Sequence, residues 1–345
     1  MFADKQRVTL HQIRNHMTNL VLLQLAVVVA LHWNTQVSST TASLRGLRVV
    51  SPQVVWASGT KGTFLRTTDG GAHWQGGSVE GAEQLDFRDV EAFDAKTAYL
   101  LASGEGAHSR VYKTIDAGLH WEVLLTNPDP KGFFDALAFW DTKHAILLGD
   151  PVDGHFVIFT TANAGKTWQR QPTPAALEDE GAFAASGTSL LTLGTREAWF
   201  ATGGPGGGRV FRTRNFGRSW RVTKTPLGGA KTAGIFSLAS SDRKHLVAVG
   251  GDYQNPKTTQ HTVALTRDGG ETWNAAAGLG YRSCVAFLGD NTFVAVGTTG
   301  SDVSRDGGQT WDHFSDASLN AVAGSNGAVW AVGAKGVIVK LVGEH

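Results

Sequence analysis

Apolar and polar residues alternate with a period of two in short runs along the chain. Gly62–Arg66, Arg110–Lys113, His155–Phe159 and Arg209–Arg212 are examples. This alternation predicts half-buried strands. Upstream of such runs lie more continuously apolar stretches that end in glycine: Val54–Gly59, Ala98–Gly104, Ala198–Gly203, His245–Gly250, Thr292–Gly297 and Ala328–Gly333. A third set precedes these, at Leu44–Val50, Phe87–Phe93, Phe134–Phe139, Tyr281–Phe287 and Leu319–Ala323. Each alternating run leads into one turn pattern, [ST]-x-[DN]-x-G-x-x-W. It occurs six times: Thr67–Trp74, Thr114–Trp121, Thr161–Trp168, Thr213–Trp220, Thr266–Trp273 and Ser304–Trp311.

The pattern has a physical reading. Asp69, Asp116, Asn163, Asn215, Asp268 and Asp306 bond backbone N–H groups of their own turn, and the glycine supplies a positive φ. Trp74, Trp121, Trp168, Trp220, Trp273 and Trp311 open the next strand and fill the gap between neighbouring sheets. Each unit therefore reads as four strands, a to d, with the motif in the c–d turn. Successive motifs lie 38 to 53 residues apart. Four-strand units at that period predict an all-β chain, a β-propeller. The last unit, from Leu319 to Val342, lacks a motif and a d strand, and Trp33–Ser38 resembles the missing piece. The count is then seven, and the two ends close the ring within one sheet.

Residues 1–30 differ from the rest. Lys5, Arg7 and Arg14 precede an uncharged run, Leu20–Leu31. The run is too short for a spanning helix and suits a signal core. Residues 1–30 thus read as an export signal or an uncleaved anchor, and 31–345 as the propeller. Without those thirty residues the net charge is −1, which argues against a nucleic-acid footprint. The single cysteine, Cys284, excludes an internal disulfide, and the 12 histidines have no metal-ligand spacing. No metal and no cofactor are expected, and the chain is expected to be a monomer.

Six similar turns around a ring do not make one active site, so function is sought on the opposite rim, among the b–c and d–a loops. Arg45, Arg88 and Arg282 stand near the starts of a strands, with Phe134 or Asp135, Ala184 or Ala185, and Asn320 at corresponding places. Three guanidiniums at one channel mouth suit a carboxylate ligand or an acidic peptide. Internal ion pairs with Asp89, Asp135 or Asp150 are the other reading. The b–c loop Gly149–Phe156 adds Asp150 and Asp153, although Asp-Pro and Asp-Gly are also ordinary turn formers. Arg209, Arg212, Arg214, Arg218 and Arg221 make the fourth unit locally basic.

The repeated motif is similar to the Asp-box, or bacterial neuraminidase repeat. Over residues 33–345 the chain resembles the photosystem II stability/assembly factor-like propellers, notably at Ser43–Leu47, Trp56–Gly59 and Arg66–Gly71. The resemblance implies an exported seven-bladed propeller that binds a protein or peptide partner, a membrane-complex subunit, without catalysis. It further implies an arginine patch, for which Arg45, Arg88 and Arg282 are the available positions. Sialidases also carry Asp-boxes and a three-arginine site, which keeps a glycoside hydrolase as the alternative. Their Phe-Arg-Ile-Pro motif is absent, and neither Tyr253 nor Tyr281 has an evident glutamate partner. An acid pair would have to come from Asp89 with Asp135 or Asp150.

Overall fold

The computed structural model describes residues 30–343. Almost all of the segment read as an export signal or anchor lies outside the described residues. The described chain forms seven four-stranded antiparallel sheets. Its only helical pieces are two three-residue 3₁₀ turns, Gly106–His108 and Ala334–Gly336. Among the described residues no helix is long and apolar enough to cross a membrane.

Blade 1 runs Leu44–Val49, Val55–Gly59, Thr63–Thr67 and Gln75–Ser78 from the inside outward, and blades 2 to 6 repeat that order. Blade 7 takes Ala321–Ser325, Ala328–Val332 and Ile338–Val342 from the end of the chain and His32–Gln36 from its front. The closing register pairs Trp33 with Leu341 and Gln36 with Ile338. The Trp33 indole N–H also donates to Ser301 Oγ of blade 6, 3.0 Å away. Closure removes the open edges that an incomplete ring would expose.

Local chemistry explains why the motif turns so tightly. In blade 1 the Thr67 hydroxyl donates to Asp69 Oδ1 at 2.8 Å and accepts from Gly71 N–H at 3.0 Å. The same carboxylate oxygen accepts from His73 N–H at 2.9 Å. The five other turns repeat these bonds, with asparagine replacing aspartate in two. The core lies between sheets. Trp74 packs edge-on against Trp330 of blade 7, and Trp121 packs against Trp56 of blade 1. The Trp199 indole N–H of blade 4 donates to Gly269 O in the blade 5 turn, and Tyr99 of blade 2 does the same to Ala164 O of blade 3.

Candidate functional site

The mouth residues are placed by a repeated irregularity. In blades 1, 2, 3 and 5 the pairing of the inner two strands skips one residue: Arg45, Arg88, Asp135 and Phe236. A bulge of this kind re-aims a side chain and ends regular pairing, and such bulges gather at rims. The corresponding residues of blades 6 and 7 are Ser283 and Asn320, whose N–H groups bond to Val296 O and Val332 O. All six line one cavity of about 500 Å³ at the loop-rich mouth, together with Phe133, Asp150, Ala182–Ala185, Tyr253 and Tyr281.

The lining is divided by chemistry. Blades 1 and 2 present cations. Arg88 Nε donates to Asp86 Oδ2 at 2.8 Å, and its guanidinium lies over the Phe133 ring at 5.8 Å. Among the described residues Arg45 has no partner for its buried Nε. Burial, followed by the neighbouring Arg88 charge, pulls the Arg45 pKa down. Blade 3 presents acids. Asp135 is 1% exposed, and its Oδ2 has no partner among the described residues. Burial, reinforced by Asp150, pushes its pKa well above the usual carboxylate range. Burial also pushes Asp150 up to about 6, although its Oδ1 accepts from Ala182 N–H at 2.9 Å. The far wall is aromatic. Phe183 stacks on Phe236 at 3.9 Å, and Tyr281 and Tyr253 meet Phe236 edge-on. Burial raises the Tyr281 phenol, while Tyr253 is half exposed.

Residues 182–188 of blade 4 form the floor by crossing the bore. Ala184 O accepts from Arg88 of blade 2, Ser186 Oγ donates to Ser283 O of blade 6, and Thr188 Oγ1 bonds Ser237 Oγ of blade 5. Beneath this strap lies a second chamber, reached from the Asp-box rim, that includes Arg48, Asp89, Glu91 and Cys284.

The structure brings together Arg45, Arg88, Asp135 and Asp150, and it leaves three expected residues out. Arg282 stands one position before Ser283, the residue that corresponds to the bulges, so its side chain turns into blade 6. There it is 3% exposed, with Nε 2.5 Å from Asp302 Oδ2 and Nη1 2.6 Å from Thr299 Oγ1. Arg282 is a structural ion pair, and its partner is Asp302, not one of the acids expected from sequence. Asp89 belongs to the lower chamber, where Oδ2 accepts from Leu137 N–H at 2.9 Å. Burial, then Glu91, raises its pKa strongly. The strap therefore separates Asp89 from Asp135 and Asp150. Asp153 sits at an exposed hairpin tip with φ 52°. The basic run of blade 4 is largely paired: Arg209 bonds Glu180, Arg212 approaches Glu197, and Arg214 and Arg221 meet Glu271. The aromatic wall was missed apart from Tyr253 and Tyr281. Aligning the inner strands on Leu47, Val90, Leu137, Leu238, Val285 and Val322 would have placed Phe236 and Ser283 in register with the arginines.

Residues 25–170 match the family model described as photosynthesis system II assembly factor YCF48. The matched stretch contains Arg45, Arg88, Asp135 and Asp150. The chain is similar to the YCF48 assembly factors. A solved structure described as YCF48 bound to D1 peptide superposes with a TM-score of 0.66 at 16% identity, covering 90% of this chain and 95% of that one. YCF48 from Cyanidioschyzon merolae gives 0.62 at 18% identity, covering 89% and 98%. Virginiamycin B lyase from Staphylococcus aureus gives 0.64 at 10% identity, covering 90% and 98%. An enzyme and a peptide-bound factor thus share this architecture, which at such identities speaks for fold alone. No curated protein matches the sequence.

Proposed function

We propose that the chain is an exported, non-catalytic propeller that holds a segment of a protein partner at the Arg45/Arg88 mouth, as a YCF48-like assembly factor. The partner on this reading is a subunit of a membrane complex. One observation carries the site: bulge residues of four blades and the corresponding residues of two more converge on an open cavity, with two guanidiniums on one side and an aromatic wall opposite. Guanidiniums recognise carboxylates, and rings accept apolar side chains. The YCF48 match, and the neighbour described as bound to D1 peptide, support a peptide as the ligand class.

A labelled D1 peptide is the first probe, followed by fluorescence anisotropy. The expected result is binding that weakens at least tenfold in Arg45→Glu/Arg88→Glu, with the melting temperature kept within a few degrees. Equal binding by the double variant overturns the site. Hydrolysis of a fluorogenic sialoside, lost in Asp135→Ala or Asp150→Ala, would replace this reading with a glycosidase.

A further inference from the structure

We propose that the Asp-box rim docks on a lipid bilayer with anionic headgroups, the blade 2 turn entering the interface and the basic turns of blades 3 and 4 lying on the headgroups. The mouth opens on the opposite rim, so this surface is independent of the ligand site.

Two positions of the motif turn, its second and sixth residues, are exposed in blades 1 to 4 and set the character of this rim. Of the six motif turns, only that of blade 2 has large apolar residues at both. Ile115 is 68% exposed and Leu119 80%. Thr68 and Ala72 stand there in blade 1, and Arg305 and Gln309 in blade 6. Apolar side chains on a protruding tip gain by entering the boundary between headgroups and acyl chains.

Blades 3 and 4, next round the ring, are basic at the same level. They carry Asn163 and Asn215 where the other four motif turns carry aspartate, so each lacks a negative charge. Arg214 and Arg218 fill the two outer positions in blade 4, and Lys166 fills the second in blade 3. The a–b turns add Lys143 and Arg196. Their carbonyls accept from Ala164 N–H and Phe216 N–H of the motif turns, at 2.9 and 3.1 Å, which sets both kinds of turn side by side. All five cations are exposed. The acids near them are already engaged: Asp141 bonds His144, Glu197 lies 3.5 Å from Arg212, and Glu271 of blade 5 lies 3.8 Å from Arg214. Lysine and arginine close to an anionic leaflet are drawn to its surface potential, and salt screens that attraction.

The route of the chain shows what covers this rim. In blade 7 Asn34 pairs with Lys340 and Lys340 with Trp330, as Gln75 pairs with Arg66 and Arg66 with Trp56 in blade 1. Trp33 therefore occupies the place of the motif residue Trp74, and the uncharged run Leu20–Leu31 joins the propeller at the Asp-box rim. An apolar segment that enters a bilayer from there holds this rim, and not the mouth, against the headgroups. An acidic protein would satisfy the cations. It would not account for an apolar tip and an apolar run arriving on the same side.

The test uses the full chain with the fluorophore NBD on Leu119→Cys or, as the opposite-rim control, on Asp153→Cys. Cys284 is buried and stays unlabelled. Vesicles are phosphatidylcholine with or without phosphatidylglycerol, and quenching by spin-labelled acyl chains reports contact with lipid. With phosphatidylglycerol the label at position 119 is expected to be quenched at least twice as strongly as the label at 153. That quenching is expected to fall at least twofold in pure phosphatidylcholine, in high salt and in Lys166→Glu/Arg218→Glu, whose melting temperature is expected to stay within a few degrees. An unquenched label at 119 overturns rim docking, whether or not the chain floats with the vesicles. Equal quenching at both labels, or quenching indifferent to phosphatidylglycerol and to charge reversal, overturns it too. Self-association without vesicles that Lys166→Glu/Arg218→Glu abolishes would make the rim an interface between copies instead. None of these outcomes bears on peptide binding at the mouth.

Discussion

Single carboxylates set the pH limits of this fold in opposite directions. Asp116 and Asp268 in the motif turns, and Asp242 in another turn, accept backbone and side-chain hydrogen bonds, and these hold each pKa down near 2. A depressed folded pKa contributes stability above the unfolded value that is lost as pH falls through the folded one. The acid limb should therefore steepen from about pH 4 to about 2, as carboxylates of several blades protonate. Asp150, raised to about 6, has the reverse sign. The folded form binds the extra proton, so this contribution is present below about pH 4 and lost as pH rises through about 6. Asp150→Asn should stabilise at pH 7.5 by roughly 1 kcal/mol or more and change little at pH 4. Urea unfolding at the two pH values decides it, and equal effects at both would refute the sign. Gly187 is a second single-residue test. Its φ is +76°, and a Cβ there would lie 2.2 Å from the Asp89 carboxyl carbon. Gly187→Ala should cost at least about 1 kcal/mol. An unchanged melting temperature would show that the strap is slack.

At the scale of strands, the difference between Arg282 and Arg45 is one of register. Successive side chains on a strand point to opposite faces, so one residue of offset moves a guanidinium from the mouth into the sheet interior. The repeats, the blade count and the Trp33 closure were legible because each rests on local turn chemistry or on a period along the chain. The Arg45 and Arg88 positions were legible for the same reason, whereas the blade 3 place stayed open between Phe134 and Asp135 until the register decided it. Arg282 was misplaced because Tyr281–Phe287 carries an apolar residue before the arginine, which makes the alignment slip by one unless it is anchored on Val285. The strap was not legible at all. Residues 182–188 follow no strand alternation, and their contacts reach blades far away in sequence. The register assignment has a measurable consequence. Arg282→Ala leaves Asp302 buried beside only His313 Nδ1, 3.1 Å away. Breaking such a pair from one side typically costs ~3–5 kcal/mol. Arg45→Ala should cost far less, because Arg45 has no carboxylate partner to strand. Denaturant unfolding of the two variants tests this, and similar losses in both would place Arg45 in the structural framework as well.

For the molecule as a whole, the seven sheets differ from a stack of repeats in that no sheet has a free neighbour. Blade 7 joins the front of the described chain to its end through five paired residues, His32–Gln36 with Ile338–Val342. Trp33 then reaches past its own sheet, meeting the Phe314 ring at a tilt with centroids 5.6 Å apart and bonding Ser301, both of blade 6. The strap adds a tie across the bore, from blade 4 to blades 2, 5 and 6. These long-range links make the ring cooperative, since loosening one blade exposes the aromatic faces of its two neighbours to water. Deleting residues 30–40 should therefore lower the stability of the entire ring in one transition, and not merely fray blade 7. It would also uncover the Ile338–Val342 strand edge, which is open to pairing with a second copy. The expected outcome is a single melting transition shifted down by more than 10 °C, with dimers or larger species appearing in light scattering. Trp33→Ala keeps the strand but removes the indole, and should show an intermediate shift without the new species. Two separate transitions in the deletion variant, with one at the original temperature, would mean that blades 1 to 6 stand without closure. The mouth, whose six lining positions on the inner strands come from blades on both sides of the join, would then keep its shape in an open ring.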